Sequence, residues 1–196
     1  MLLRFYDHYT GEITIGKTGF SCISPSYWRG QCGAVLQNGY IFNDTIAGNI
    51  AVGVPSIDRS RLEYCCRMAN VQPFIFSLPR GFDTVLGAEG ADLSQGQKQR
   101  LLIARSLYKD PSYLFFDEAT NSLDANNERE IIQKLQDIFK GRTVIIIAHR
   151  LSTVKNADKI VVLHEGNIVE EGTHEQLSLR KGKYYELVKN QLELGN

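Results

Sequence analysis

The sequence has no excess of either charge, because 22 lysines and arginines balance 22 aspartates and glutamates. That balance removes any bulk electrostatic argument for a nucleic-acid or anionic-membrane partner. Long hydrophobic runs are also missing. The longest purely apolar stretch is Val144–Ala148, far short of the roughly 20 residues that a spanning helix needs. No basic segment followed by an apolar stretch is seen in the first residues, so there is no sign of a secretory signal. Cysteine is scarce and lacks C-x-x-C spacing: Cys22, Cys32, Cys65 and Cys66 read as idle or buried thiols, not as a metal site or a disulfide framework. Neither an internal repeat nor a low-complexity linker is visible. What remains, 196 residues with 43% hydrophobic composition, suits one globular domain with a sizeable core.

Apolar periodicity organises the chain. LLRFYDHYTG reads as a helix end and a turn, and Glu12–Ile15 as a strand. Cys32–Gln37 reads as a buried strand ending on a polar residue. Thr45 is placed to cap a short helix through Ile50. Residues 58–78 read as a helix capped by Asp58, with Leu62, Cys65, Cys66 and Ala69 forming an i, i+3, i+4, i+7 core stripe. Further on come a helix Gln95–Tyr108, a buried strand Tyr113–Phe116, a helix Asn126–Phe139 and a second buried strand Thr143–Ala148. A short helix Ser152–Asn156 precedes a hairpin, Lys159–Leu163 with Asn167–Glu170, that turns at Glu165-Gly166, and two helices close the chain. Short apolar strands alternating with helices predict an α/β fold with a parallel sheet covered on both faces.

Residues 11–18, GEITIGKT, satisfy the phosphate-cradle pattern G-x-x-x-x-G-K-[ST]. Such a cradle needs a strand leading in, a tight glycine-rich turn and a helix leading out. Here Ile13 and Ile15 alternate with polar residues, which favours a strand inside the loop. Gly19 and Pro25 discourage an immediate helix after it. The expectation is therefore a strand closing on a glycine turn.

Three other strand or helix ends carry candidate chemistry. Tyr113–Phe116 stops on Asp117 and Glu118, at the carboxyl end of a buried strand, where α/β folds bind ligands. Asp117 is placed to hold Mg²⁺ through water and Glu118 to orient or deprotonate an attacking water. Two solvated acids starting a loop are the plain alternative. Val144–Ala148 delivers His149 in the same way, as a γ-phosphate donor or a structural histidine. Gln37 ends a third apolar strand. Finally, Ser94 caps the helix that LSQGQ opens, and free N–H groups at such a start make an anion site.

Taken together, these residues resemble the ATP-binding-cassette ATPase domain. LSQGQ (93–97) is similar to the family signature, and YLFFDE (113–118) to its Walker B strand and catalytic glutamate. Ser122-Leu123-Asp124 resembles the D-loop, His149 the switch histidine and Gln37 the Q-loop. The resemblance runs over essentially the whole chain, five motifs in family order. It implies a P-loop-NTPase-like parallel sheet flanked by helices, with a helical signature subdomain within 38–110. Residues 111–196 would hold Walker B, the D-loop, the switch histidine and the C-terminal helices.

By the same resemblance, Glu118 and His149 are catalytic. Gln37, Ser94, Gly96, Gln97, Asp117 and Asp124 bind ATP, and Gln37 and Asp117 hold Mg²⁺. The implied partners are a second such ATPase domain and a transmembrane exporter domain at the cytoplasmic face of the plasma membrane, with no nucleic acid. LLRFYD is similar to the helix that follows the family's true P-loop. The expectation is thus a partial domain that lacks Walker A and its central strand, with GEITIGKT a coincidence and little ATPase activity of its own. A non-catalytic assembly module that contributes only a signature half-site is the runner-up.

GYIFNDTIAGNIAVG (39–53), LSQGQKQRLLIAR (93–105) and LVKNQLELGN (187–196) resemble exporters with an N-terminal peptidase domain, which process and export bacteriocin-type peptides. The exporters' Gly-Glu pair before the signature is displaced here. Ala88 follows Gly87 and Glu89 comes one place later, so coupling contacts are not carried onto Glu89. A DNA-repair-type relative is disfavoured by the zero net charge and the absence of a coiled-coil insertion.

Overall fold

The computed structural model describes residues 1–6, 8–87, 92–119, 125–148 and 154–194, without side chains at 125–129 and 191–194. The chain forms two compact units, Met1–Ile145 and Ile146–Asn196.

In the first unit, the opening segment is a turn closed by Arg4 N–H on the Met1 carbonyl at 2.7 Å, not the expected helix end. Arg4 has φ +54°, outside the helical region, and Trp28 Nε1 donates to the Leu2 carbonyl at 2.7 Å. The segment GEITIGKT forms a hairpin. β1 (Thr14–Ile15) pairs antiparallel with β2 (Thr18–Gly19), and Gly16, at φ +60°, takes the first central position of the two-residue turn. A short 3₁₀ turn, Phe20–Cys22, follows in place of a long helix.

α1 (Pro25–Gly30) leads into β3 (Cys32–Val35). α2 (Ile46–Ile50) is capped by Thr45, whose hydroxyl accepts from Gly48 N–H at 3.0 Å. α3 (Arg59–Met68) is capped by Asp58, and Leu62, Cys65, Cys66 and Ala69 are each 0% exposed, as the stripe requires. The expected single helix over 58–78 is broken. Asn70 adopts a left-handed backbone at φ +54°, and Pro73, which has no N–H, belongs in the first turn of a new helix, α4 (Gln72–Ser77).

α5 (Gln95–Tyr108) packs against α2, α3 and β3. β4 (Tyr113–Asp117) runs parallel to β3, with Val35 opposite Phe116. α6 (Ala125–Phe139) precedes β5 (Thr143–Ile147).

Two expectations fail at β5. With the family's central P-loop strand missing, the strands ending at Asp117 and His149 are expected to lack a shared hydrogen-bonding neighbour, but the sheet order is β3-β4-β5. β5 therefore lies directly beside β4, no strand intervenes among the described residues, and the expected gap beside Leu114–Phe116 is closed. Nor is β5 buried among the described residues: Ile145, within the first unit, is 38% exposed.

In the second unit, β6 (Ile160–His164) and β7 (Asn167–Gly172) pair antiparallel. The turn residues Glu165 and Gly166 both have positive φ, which matches the right-handed twist of a two-residue hairpin. Ile160 and Val162 pack with Leu177, Tyr184 and Val188 from the helices His174–Arg180 and Lys183–Leu194. The expected helix Ser152–Asn156 lies partly outside the described residues.

A clasp of charge joins α3, the end of α5 and the β5 approach. Arg61 and Arg142 each reach the same Asp110 carboxylate oxygen at 2.8 Å. Arg61 also donates to the Leu107 and Tyr108 carbonyls, at 2.9 and 3.2 Å, and Arg142 to the Pro111 carbonyl at 2.8 Å. The hydrogen bond from Arg142 lowers the Asp110 carboxyl below its ordinary value, and Arg61 adds to the effect. A depressed carboxylate stabilises the fold above its unfolded-state value, and that stability is lost as pH falls through the folded value. Asp110→Asn tolerates the left-handed backbone at this position and removes only the charge. We expect it to cost roughly 0.5–1 kcal/mol at neutral pH, because the carboxylate is largely exposed. The difference from the parent should vanish in acid, as read by denaturant midpoints across pH.

Candidate functional site

The parallel register of β3 and β4 builds the site. Carried two residues past Val35 and Phe116, it sets Gln37 opposite Glu118 at the carboxyl edge of the sheet. Gln37 Nε2 donates to Glu118 Oε2 at 3.1 Å. An ionised carboxylate only accepts, so the amide must turn its NH₂ toward Glu118. Gln37 is exposed, in a turn two residues beyond β3, whereas Asp117 and Glu118 are half-buried. Glu118 has φ +52°, a left-handed backbone that costs a non-glycine residue of order 1 kcal/mol and is found at functional sites.

Gln37, two residues beyond β3, and Asp117, the last residue of β4, both carry oxygens of the hard type that Mg²⁺ takes. No cluster of three His, Cys, Asp or Glu suited to a metal occurs among the described residues.

Ser94, Gly96 and Gln97 form a separate group at the start of α5. Ser94 Oγ accepts from Gln97 N–H at 3.2 Å, and Ser94 N–H donates to Gln97 Oε1 at 2.9 Å, a reciprocal capping box. Within the box Ser94 Oγ acts as acceptor, and a hydroxyl also carries one proton to donate. Arg100 Nε donates to the Gly96 carbonyl at 3.1 Å. Asp124 and His149, expected beside this chemistry, lie outside the described residues, as does Glu89.

Two residues that sequence reasoning missed hold the loop between β3 and α2. Asn49 is 1% exposed. Its Oδ1 accepts from Phe42 N–H at 2.8 Å, and its Nδ2 donates to the Phe42, Asp44 and Thr45 carbonyls at 2.9, 3.2 and 3.1 Å. Arg105, on α5, donates to the Asn49 and Tyr40 carbonyls at 2.6 and 2.7 Å. The available signal was polarity out of place: an asparagine within IAGNIAV and an arginine after the apolar LLIA.

Backbone strain at Glu118 gives a direct test. Glu118→Gly and Glu118→Ala both delete the carboxylate, but only glycine relieves the left-handed geometry. We expect the glycine variant to be more stable than the alanine variant by roughly 1 kcal/mol in urea titrations. Equal stabilities would show that the position carries no strain.

A profile described as ABC transporter matches residues 1–121. An ATP-dependent lipid A-core flippase from Syntrophus aciditrophicus is 46% identical over 187 residues, covering 95% of this chain and 31% of that protein. A toxin RTX-III translocation ATP-binding protein from Actinobacillus pleuropneumoniae is 46% identical over 194 residues, covering 98% of this chain and 27% of that protein. Among solved structures, a bacterial Atm1-family ABC exporter with ATP bound superposes with TM-score 0.91 at 41% identity, over 97% of this chain and 33% of that one. The chain thus spans about a third or less of the length of these relatives. Its α/β architecture is that of their ATPase portion, and the chain belongs to the ABC transporter family.

Proposed function

We propose that the chain is part of the ATP-binding and ATP-hydrolysing domain of an exporter, its signature segment acting on nucleotide held by a second such domain. The observation that carries this reading is the pairing of Gln37 with Glu118 at one sheet edge while Ser94 caps a separate helix start. Glu118 serves as base toward an attacking water, with His149 as γ-phosphate donor. Gln37 and Asp117 hold Mg²⁺, which supplies charge neutralisation at the phosphates when bound. Ser94, Gly96, Gln97 and Asp124 face nucleotide held by a second ATPase domain. Residues 38–110 form the signature subdomain, and 111–196 the remainder of the partial domain. No helix among the described residues is long and apolar enough to cross a membrane. By family resemblance, a transmembrane exporter domain carries the cargo, with this chain at the cytoplasmic face.

The reading of GEITIGKT as a coincidental match, not Walker A, is supported by its hairpin and exposed Lys17. On this reading the β- and γ-phosphates are not cradled by residues 11–18. That observation also favours the second reading, a non-catalytic assembly module. For the cargo we favour peptides of the bacteriocin type, on the likeness of 39–53, 93–105 and 187–196 to peptidase-containing exporters.

Purified chain with ATP and Mg²⁺ should release phosphate no faster than its Glu118→Gln variant, and Lys17→Ala should change nothing. A Glu118-dependent rate would restore GEITIGKT as a cradle.

The half-site is tested by sedimentation with an intact, hydrolysis-blocked cassette domain. Association should tighten when that partner holds ATP and Mg²⁺. It should weaken at least tenfold in Ser94→Arg or Gly96→Asp, since about 1.4 kcal/mol of lost phosphate contact suffices. Nucleotide-independent association would overturn the half-site.

A further inference from the structure

Residues 36–44 form a strap between β3 and α2 that is held at both ends. At one end Gln37 bonds Glu118. At the other, three strap residues are referenced to α5. Arg105 grips the Tyr40 carbonyl at 2.7 Å and places its guanidinium over the Phe42 ring, 5.1 Å from the centroid. Gly39 lies so close to Leu102 that a Cβ there would overlap the leucine side chain. Asn49 completes the grip, because its Oδ1 accepts from Arg105 at 3.0 Å and from Phe42 N–H at 2.8 Å.

We propose that Arg105 is a positioning residue for the candidate base: it sets the strap, and through the strap it sets Gln37 against Glu118. This inference rests on reading Glu118 as the base. The strap has little slack to absorb a shift at Tyr40. Only Asn38 and Gly39 separate Tyr40 from Gln37, and Gly39 N–H closes a turn on the Leu36 carbonyl at 3.2 Å. The planar fork of arginine reaches two carbonyls and an amide oxygen at once, which the point charge of lysine cannot reproduce. Because Arg105 lies on the helix that Ser94 caps, displacement of α5 at its signature end is carried to the Gln37–Glu118 bond.

The test is nuclear magnetic resonance of the ¹⁵N-labelled full chain without nucleotide, observing the Gln37 side-chain amide. Glu118→Ala should move its resonances, marking the lost hydrogen bond. Arg105→Lys should move them toward the same positions. Gly39→Ala, which pushes the strap off Leu102, should do likewise and carries the test if Arg105→Lys does not fold. Arg142→Ala, which loosens the Asp110 clasp, should lower the melting temperature and leave the Gln37 signals in place. The proposal is overturned if folded Arg105→Lys keeps parental signals, if Gly39→Ala keeps them where Arg105→Lys does not fold, or if Arg142→Ala moves them as far. The readout needs neither ATP nor a partner. Its failure is therefore distinct from failure of the exporter reading, which the nucleotide-driven sedimentation decides.

Discussion

The close approach of α5 to β3 is the constraint on which the rest of the first unit depends. At Gly33 a Cβ would run into the Ser106 carbonyl oxygen and would come within 2.8 Å of Pro111 Cγ and 2.9 Å of Leu114 Cδ2. A residue without a side chain is the condition for that helix to lie on that strand. With α5 so placed, Leu101, Ile103, Ala104 and Leu107 are buried, and burial of side chains of this size stabilises by about 1.5–3 kcal/mol for the larger ones. The same placement delivers Arg105 to the strap and directs Ser94 to the opposite end of the helix. The two groups of the candidate site are thus spaced by one rigid element.

Most of this was legible where local chemistry and packing agree. Thr45, Asp58 and Ser94 each cap the helix that their spacing announced, because a side-chain oxygen two or three residues before free N–H groups needs no tertiary help. The strands expected at Cys32–Gln37 and Tyr113–Phe116 are present as Cys32–Val35 and Tyr113–Asp117, so their place was legible and their last residues were not. GEITIGKT was legible for the opposite reason: β-branched residues inside a supposed anion loop contradict the motif, and the hairpin results.

The failures have physical causes. A single period cannot reveal that Asn70 turns left-handed before Pro73, which splits the predicted 58–78 helix. Val144–Ala148 is apolar throughout, so its composition does not say whether both faces are covered, and Ile145 lies exposed. Asn49 and Arg105 meet across 56 residues, a pairing that no local pattern encodes. The left-handed backbone of Glu118 likewise appears only in three dimensions.

The paired thiols of α3 have a consequence for how the protein ages. Burial raises Cys65 to about 11 and Cys66 further still, so neither forms an appreciable thiolate at neutral pH. Cys22 is exposed. Oxidants and alkylating reagents therefore meet a surface thiol at once, and meet the vicinal pair only during moments when α3 lifts from the core. Damage at Cys65 and Cys66 then accumulates in proportion to the fraction of time the core is open.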